Sequence, residues 1–544
     1  MKNGPYPYYE IADIHTLRDL IDYGKSAGGQ RTVFYTGKKN DVPVSFLEAS
    51  QKIEAFGTFL LHRGLSGAHI AILGENSTEW CLSYFAVLNS GNVAVPLDRD
   101  LPEEELAELL CRCDCTALIT SGKYKARAEA FRARDDLGQI EYINLEDFES
   151  CVEAGQELIR DGDRSFEQVQ IRPDTLACIV YTSGTSGKSK GVMLSHKNLA
   201  SDAAATCRCV TARNTQIFLP LNHCFSWASA MFAVFLYTVD AHISPDLKRI
   251  VKDLNRNRPQ NISAVPLMAE MLYNSVWNAA RKQGREKQLR RTLAWSRALM
   301  ALGIDLRRTL FRTIRESFGG ELDTVICGGA ALDPQIQKGL YDLGLTVING
   351  YGITECSPVV AVNRNRDFRF GSVGKPLPCN RIRIEDPDER GVGEILVAGS
   401  NVMLGYYKDP EATAAAFDGE WFRTGDYGYL DGDGFLYITG RKKNLIILSN
   451  GENVSPEELE EKLRRLEYVC EVAVYEEERV ITGEFFLDEQ NWPDARERLE
   501  EDLRQWNAGM PSYKAVKRIK IRDVPFEKTT TMKIKRYLLS SDRK

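Results

Sequence analysis

The sequence predicts an α/β protein: a large N-terminal part of parallel-type β-sheets flanked by helices, followed by a small α+β unit. Three observations carry this. Over the first 130 residues helical and strand periods alternate, the pattern of a mostly parallel sheet with helices on its faces. From Gly391 onward the pattern becomes short strands and Asp-Gly turn signals, GEILVAG and then LDGDGFLYITG. After RKKNLIIL the composition shifts again, marking a C-terminal unit of about 100 residues that begins near 441, an ordinary size for a small domain.

The elements follow in order. Residues 45–63 place apolar side chains at helical spacing and stop before Gly64. HIAIL at 69–73 is a short β run; 78–90 read as a helix, 92–97 as a strand, 103–112 as a helix and 116–120 as a strand. LACIVY and GVMLS read as strands on either side of a polar loop, with a helix start after the second. Residues 279–316 are helical and rich in arginine, including Arg290, Arg291, Arg307, Arg308 and Arg312. They suit a membrane-surface or partner-binding helix pair, or a solvated charged face beside an apolar one, which is the default for such composition. Residues 457–502 are acidic and helix-forming, and 514–544 hold eleven basic and three acidic residues.

Composition excludes several classes. The chain has 544 residues, 43% hydrophobic and 27% charged, enough to bury a large core. Seventy Lys and Arg against 76 Asp and Glu leave −6, which argues against a surface built for nucleic acid. No apolar run reaches 18 residues, so no spanning helix is expected. The start, MKNGPYPYYEIADIHTL, has neither an apolar signal core nor a cleavage site. The 13 cysteines are scattered, and Cys111, Cys113 and Cys115 read as a helix end running into a strand, not as a zinc set. Reduced thiols without an export signal point to the cytoplasm.

The most informative stretch is LACIVYTSGTSGKSKGVMLSHKNL at 176–199. Glycines 184, 187 and 191 allow close backbone approach. Thr182, Ser183, Thr185 and Ser186 supply hydroxyls, and Lys188 and Lys190 supply charge for phosphate oxygens. It is no Walker A loop: that motif needs a glycine at 182, where threonine stands.

YTSGTSGKSKGVMLSH resembles the signature of the adenylate-forming (AMP-binding) superfamily of acyl-CoA synthetases, peptide-synthetase adenylation domains and luciferases. Further motifs follow in the family's order: LPLNHCFSW at 219–227, ICGGAAL at 326–332, NGYGITE at 349–355, WFRTGDYGYLDGDGFLYITGRKKNLI at 421–446, NGENVSPEELE at 450–460 and TTTMKIKR at 529–536. The likeness spans roughly residues 10 to 540 and is nearest to the long-chain fatty acyl-CoA synthetases.

The resemblance implies a fold and a reaction. The N-terminal domain, 1–440, would contain the sheets plus a distorted barrel, 441–443 would be a hinge, and 444–544 would be a mobile domain. A carboxylate would attack the α-phosphate of Mg-ATP, and a thiol would then displace AMP from the acyl-adenylate. The thiol would be that of CoA, or the pantetheine arm of an acyl carrier protein. The basic C-terminal stretch suits either.

Residue roles carry over from the same motifs. Glu355 and Thr182 would hold Mg²⁺, and Thr354 would touch the α-phosphate. Residues 182–188 and Lys190 would cradle the phosphates. Asn349, Gly350, Tyr351 and Gly352 would lie along the nucleotide, Tyr351 against the adenine. Gly328, Gly329 and Ala330 would run along the base and the acyl pocket. Asp426 would accept from both ribose hydroxyls, and Arg441 would face the nucleotide. Lys533 would neutralise the charge that builds in the first step, with Lys535 as the neighbour to exclude; many members have glycine where Met532 stands. Lys443 would be the hinge and Gly451 would flank the thiol tunnel. His223, Phe225 and Trp227 would line the acyl channel, His223 also as a catalytic residue that rearranges near the substrate carboxylate between steps and Trp227 as a gate, and Met231 would add apolar lining.

The segment 223–230, HCFSWASA, carries no acid that could pair a substrate ammonium, so α-amino acids are disfavoured. A medium- or long-chain fatty acid is the expected substrate, since each buried methylene contributes about 0.8 kcal/mol; aryl acids are the alternative. Peripheral membrane contact fits this reading.

Overall fold

The computed structural model describes residues 6–35, 42–182, 189–245, 249–447, 453–511, 514–528 and 534–539. By internal contacts the chain forms two compact units, 1–381 with 398–420, and 382–397 with 421–544.

The first unit is built on two large sheets. One has seven strands in which His69–Leu73, Val93–Pro96, Cys115–Thr120 and Glu141–Asn144 run parallel. Leu176–Thr182 joins Val93–Pro96 in parallel, and Lys190–Ser195 folds back on it as an antiparallel hairpin. The other has nine strands and a parallel centre in which Asn261–Ala264, Thr324–Cys327 and Thr346–Gly352 lie side by side.

The expected helices fall in place: Phe46–His62, Thr78–Asn89 and Glu103–Arg112. The first two begin where the sequence can satisfy a loose backbone N–H group. Ser45 and Ser77 cap the first two by side chain, and the third opens on Glu103, Glu104 and Glu105 against its positive end. Thr78–Asn89 is buried along nearly its whole length, including Trp80, Tyr84 and Phe85, hence its apolar character on every face. The CxCxC does run from a helix end into a strand, and all thirteen cysteines are free thiols.

The arginine-rich stretch is helical but interrupted. Pro266–Lys282 and Glu286–Ala301 are separated by a turn at Gly284, whose φ is +65°, and two short helices, Arg307–Leu310 and Arg312–Glu316, follow.

In the second unit, Trp421–Leu430 pairs antiparallel with Gly393–Gly399 and with Leu436–Arg441, in the region expected to be a distorted barrel. These strands group by contact with the C-terminal residues, whereas the sequence placed everything up to 440 in the N-terminal domain. The link is local. Ser455 Oγ donates to the Thr439 carbonyl at 2.7 Å, and a Cβ at Gly440 would lie 2.4 Å from Ser455 Oγ.

The acidic stretch 457–502 is not continuous helix. Helices Pro456–Leu463 and Ala495–Ala508 flank a long hairpin, Val469–Glu477 with Val480–Leu487. The alternation in VCEVAVYEE and VITGEFFL is a strand period that the acidic composition hid. Val472, Val474, Ile481 and Phe485 form the core with Leu459, Leu463, Leu499 and Leu503.

Candidate functional site

In the first unit the site grows from the hairpin. Thr182 and Lys190 are partners in register at its mouth, with Tyr181 opposite Gly191. Residues 183–188, which hold Ser183, Gly184, Thr185, Ser186, Gly187 and Lys188, lie outside the described residues. One strand of the loop's base is tied from outside: the Arg112 guanidinium donates to the Ser189 carbonyl at 2.8 Å. After the hairpin, Ser195 and Asn198 form a capping box that starts helix His196–Cys209. The Asn198 amide also donates to the carbonyls of Ser400 and Val402, at 2.9 and 2.8 Å.

That grip leads to a residue the sequence reading missed. Gly405–Tyr406 adds to the hairpin edge, with Tyr406 opposite Val192. The Tyr406 hydroxyl donates to Glu355 Oε1 at 3.0 Å, and the Lys190 ammonium lies 4.6 Å from the Tyr406 ring centroid. Burial, then the Glu355 carboxylate, push the Tyr406 hydroxyl pKa upward, so it stays a donor. The signal was NVMLGYY at 401–407, a Gly-Tyr step too short to announce a strand by periodicity.

Glu355 is delivered by a tight turn. Strand Thr346–Gly352 carries Asn349, Gly350, Tyr351 and Gly352, and the 3-10 turn Thr354–Cys356 follows. A Cβ on Gly352 would lie 2.1 Å from the Pro358 carbonyl oxygen, so no other residue fits there. The Met403 N–H donates to the Glu355 carbonyl at 2.8 Å. Behind the turn stands Asp202, fully buried, accepting from the Val359 N–H and from the Asn401 amide, both at 3.0 Å. Burial pushes its carboxyl up to about 8 against the lowering effect of those two hydrogen bonds, and its second oxygen, Oδ2, has no partner among the described residues. Ser357 Oγ donates to the Asn401 carbonyl at 2.7 Å, closing the brace.

The segment 219–227 meets the same turn. The buried Cys224 thiol donates to Thr354 Oγ1 at 3.7 Å, and burial raises that thiol's pKa to about 12, so it is no nucleophile. Half-buried His223 immediately precedes the short helix Cys224–Ser226, which passes into a π-helical turn, Trp227–Met231. Asn76 fixes the approach, donating to the Leu219 carbonyl and accepting from the Leu221 N–H.

The π turn forms one wall of a cavity. Phe225, Ala228 and Ser229 face Gly328, Gly350 and Tyr351 across about 660 Å³ of space that includes open solvent. Among the described residues no charged one lines it. A Cβ on Gly328 would come 3.2 Å from the Phe225 ring, and Gly329 holds a φ of +88° that favours glycine. Gly329 and Ala330 are exposed at the end of strand Thr324–Cys327. Neither Trp227 nor Met231 lines this cavity. Trp227 is fully buried, donates its indole N–H to the Leu221 carbonyl at 2.7 Å and packs 4.9 Å from the Tyr84 ring. Its partners are core groups, so it sits as a support behind the wall.

In the second unit, buried Asp426 and half-exposed Arg441 are strand partners and form an ion pair at 3.0 Å. Lys442 donates to buried Glu394 at 2.6 Å, which raises the lysine pKa. Lys443 lies exposed in the short turn Lys442–Asn444. Gly451 and Lys533 fall outside the described residues. Lys528 and Ile534 form an antiparallel bridge, and Arg536 pairs with buried Glu460 at 2.5 Å. Lys535 lies 3.8 Å from Glu527.

For a metal, the first unit offers a carboxylate, Glu355, and a hydroxyl, Thr182, and among the described residues no group of three or more His, Cys, Asp and Glu could hold one. That sparse oxygen set fits magnesium, which keeps its waters and is carried largely by phosphate oxygens. No helix of the described residues is long and apolar enough to cross a membrane.

Known proteins agree with this architecture. A long-chain-fatty-acid–CoA ligase of Mycobacterium bovis is 28% identical over 91% of this chain and 90% of its own. Long-chain-fatty-acid–CoA ligase 5 of Rattus norvegicus is 27% identical over 99% of this chain and 89% of its own. The crystal structure of the anthranilate CoA ligase AuaEII in complex with anthranoyl-AMP superposes with a TM-score of 0.79 at 21% identity, covering 99% of this chain and 98% of that one, a likeness of fold. The AMP-binding enzyme model matches residues 25–407, and the AMP-binding enzyme C-terminal domain model matches 443–541. The chain belongs to the AMP-binding enzyme family.

Proposed function

We propose that the protein is an acid–thiol ligase that converts a medium- or long-chain fatty acid to its CoA thioester, consuming ATP and releasing AMP and pyrophosphate. The observation that carries this is the uncharged cavity between the π turn and the strand that delivers Thr354 and Glu355. The names of the relatives, which match nearly the whole chain, support the same substrates. A carboxylate oxygen forms a bond to the α-phosphorus, and the bond to the departing pyrophosphate breaks. The thiol sulfur then bonds to the carbonyl carbon of the acyl-adenylate, its proton passes to solvent, and AMP leaves with the carboxylate oxygen.

The chain's part is positioning and charge. Residues 182–190 hold the phosphates. Glu355, oriented by Tyr406, and Thr182 would hold magnesium, which supplies charge neutralisation at the phosphates. Asn349 to Gly352 and Gly328 to Ala330 carry the base, and Thr354 and Lys533 face the α-phosphate. Asp426 takes the ribose hydroxyls, with Arg441 exchanging its ion pair for the nucleotide. His223 stands by the carboxylate, Phe225 and Gly328 hold the chain, Lys443 is the pivot, and Gly451 admits the thiol arm. The C-terminal family model begins at residue 443, which supports a boundary at 441–443. Thirteen free thiols suit the reducing cytoplasm.

The test is pyrophosphate release over acetate, C6 to C18 fatty acids, aryl acids and amino acids, with CoA and with a holo carrier protein. The reading expects fatty acids and CoA to lead. Activity confined to aryl or amino acids, or to the carrier protein, would overturn it.

A further inference from the structure

Helix Glu286–Ala301 has two unlike faces. Leu293 sits in the core of the nine-stranded sheet with Leu289 packed against it, and Ser296 is buried on the same side. Arg291, Trp295, Ala298 and Leu302 follow one another at steps of three and four residues on the opposite, exposed side. Trp295 is 72% exposed and Leu302 77%, and Ile304, Leu306 and Leu310 continue the exposed apolar series. Of the thirteen large hydrophobic side chains exposed among the described residues, five fall in this run of sixteen positions. Isolated exposed leucines are ordinary, but a cluster headed by a tryptophan marks a contact surface.

The charge around the cluster says what would cover it. Residues 279–316 carry eleven basic and three acidic side chains, in a chain of net −6. Acids outside the stretch neutralise few of them: Arg297 pairs with Asp342 at 2.7 Å and Arg308 with Asp323 at 2.8 Å. The face therefore joins an apolar ridge to a positive surround, with an indole that suits the boundary between water and hydrocarbon.

We propose that this face docks the protein on the surface of an anionic lipid bilayer. Trp295, Leu302, Ile304 and Leu306 enter the boundary between headgroups and acyl chains, and Arg291, with the net positive charge of the stretch, meets the lipid phosphates. No step of the ligase reading enters the argument, so the docking and that reading can fail separately.

The test is sedimentation of the full chain with vesicles of phosphatidylcholine containing phosphatidylglycerol, and with phosphatidylcholine alone. The protein is expected to follow the anionic vesicles and to be released by salt. The pair Trp295→Ser with Leu302→Ser should weaken partition about tenfold. Arg291→Gln should weaken it about fivefold. These positions are exposed and outside the candidate site, so pyrophosphate release with a short soluble acid is the control. Quenching of tryptophan emission by brominated lipid, lost in Trp295→Phe, gives a second readout that needs no large substitution. The proposal falls if the native protein ignores anionic vesicles or if the variants bind as well. It falls also if the native chain is a dimer that the variants make monomeric, for then a second copy covers the face.

Discussion

Replacing Asp202 with asparagine should change how stability depends on pH while leaving the brace intact. The carboxyl is fully buried and its pKa stands at about 8 in the folded chain, against about 3.9 when unfolded. A carboxyl raised on folding holds its proton longer in the native state. Its contribution is therefore complete below the unfolded pKa and is lost as pH rises towards the folded one. Across that window stability falls by about 1.4 kcal/mol per pH unit, or about 3 kcal/mol between about pH 5 and about pH 7.5. Asparagine keeps an oxygen for the Val359 N–H and the Asn401 amide, and it does not titrate. For the first unit, taken as roughly 400 residues, 1 kcal/mol corresponds to about 1 °C in Tm. The assay is the thermal midpoint of native and Asp202→Asn proteins, scanned side by side across that window. The difference between them, in which every other titrating group cancels, should move by about 3 °C in favour of asparagine towards high pH. A difference that stays flat would refute the argument and mean that Asp202 is ionised or solvated in the fold.

Other expected outcomes bear on the site. Tyr406→Phe keeps the ring beside Lys190 but removes the bond to Glu355; loss of a hydrogen bond to a charged group, about 1.5–3 kcal/mol, should raise the magnesium requirement of pyrophosphate release by about tenfold or more, and an unchanged magnesium titration would count against the orienting role. Lys533→Ala should abolish acid-dependent ATP–pyrophosphate exchange while calorimetry still detects ATP binding; near-normal exchange would reject its assignment. Asp426→Ala should weaken ATP binding itself, and unaltered affinity by calorimetry would remove it from the ribose. Lys443→Pro should slow thioester formation more than adenylation, and equal loss in both half-reactions would dispose of the pivot.

What the sequence disclosed followed from where its signals are local. The strand HIAIL and the helix Glu103–Arg112 coincide with their expected spans because period and flanking caps agree within a few residues. The hairpin around the phosphate loop was legible for the same reason, with apolar runs on both sides and Ser195 waiting as a cap. Three features were not legible. The hairpin 469–487 was hidden because glutamates occupy its open face, so composition spoke louder than alternation. Trp227 lies in the expected motif but turns to Tyr84, and no one-dimensional pattern says which side of a π turn a ring takes. Tyr406 and Asp202 reach the Glu355 turn from positions 51 and 153 residues away in the chain, so only the folded topology brings them there.

The double engagement of Asn198 reaches beyond helix capping. One side chain closes the box that starts its helix and clasps the carbonyls of Ser400 and Val402, after which Tyr406 pairs with Val192. The interval from 402 to 406 is thus a ruler stretched between two fixed pegs. Lengthening it by one residue would turn the phenol to the far side of the ribbon, since neighbouring strand positions point in opposite directions. Affinity tags, fluorophore insertions or new chain termini placed in that interval should silence the protein, whereas the same insertion at the exposed turn around Gly284 should pass unnoticed by the chemistry.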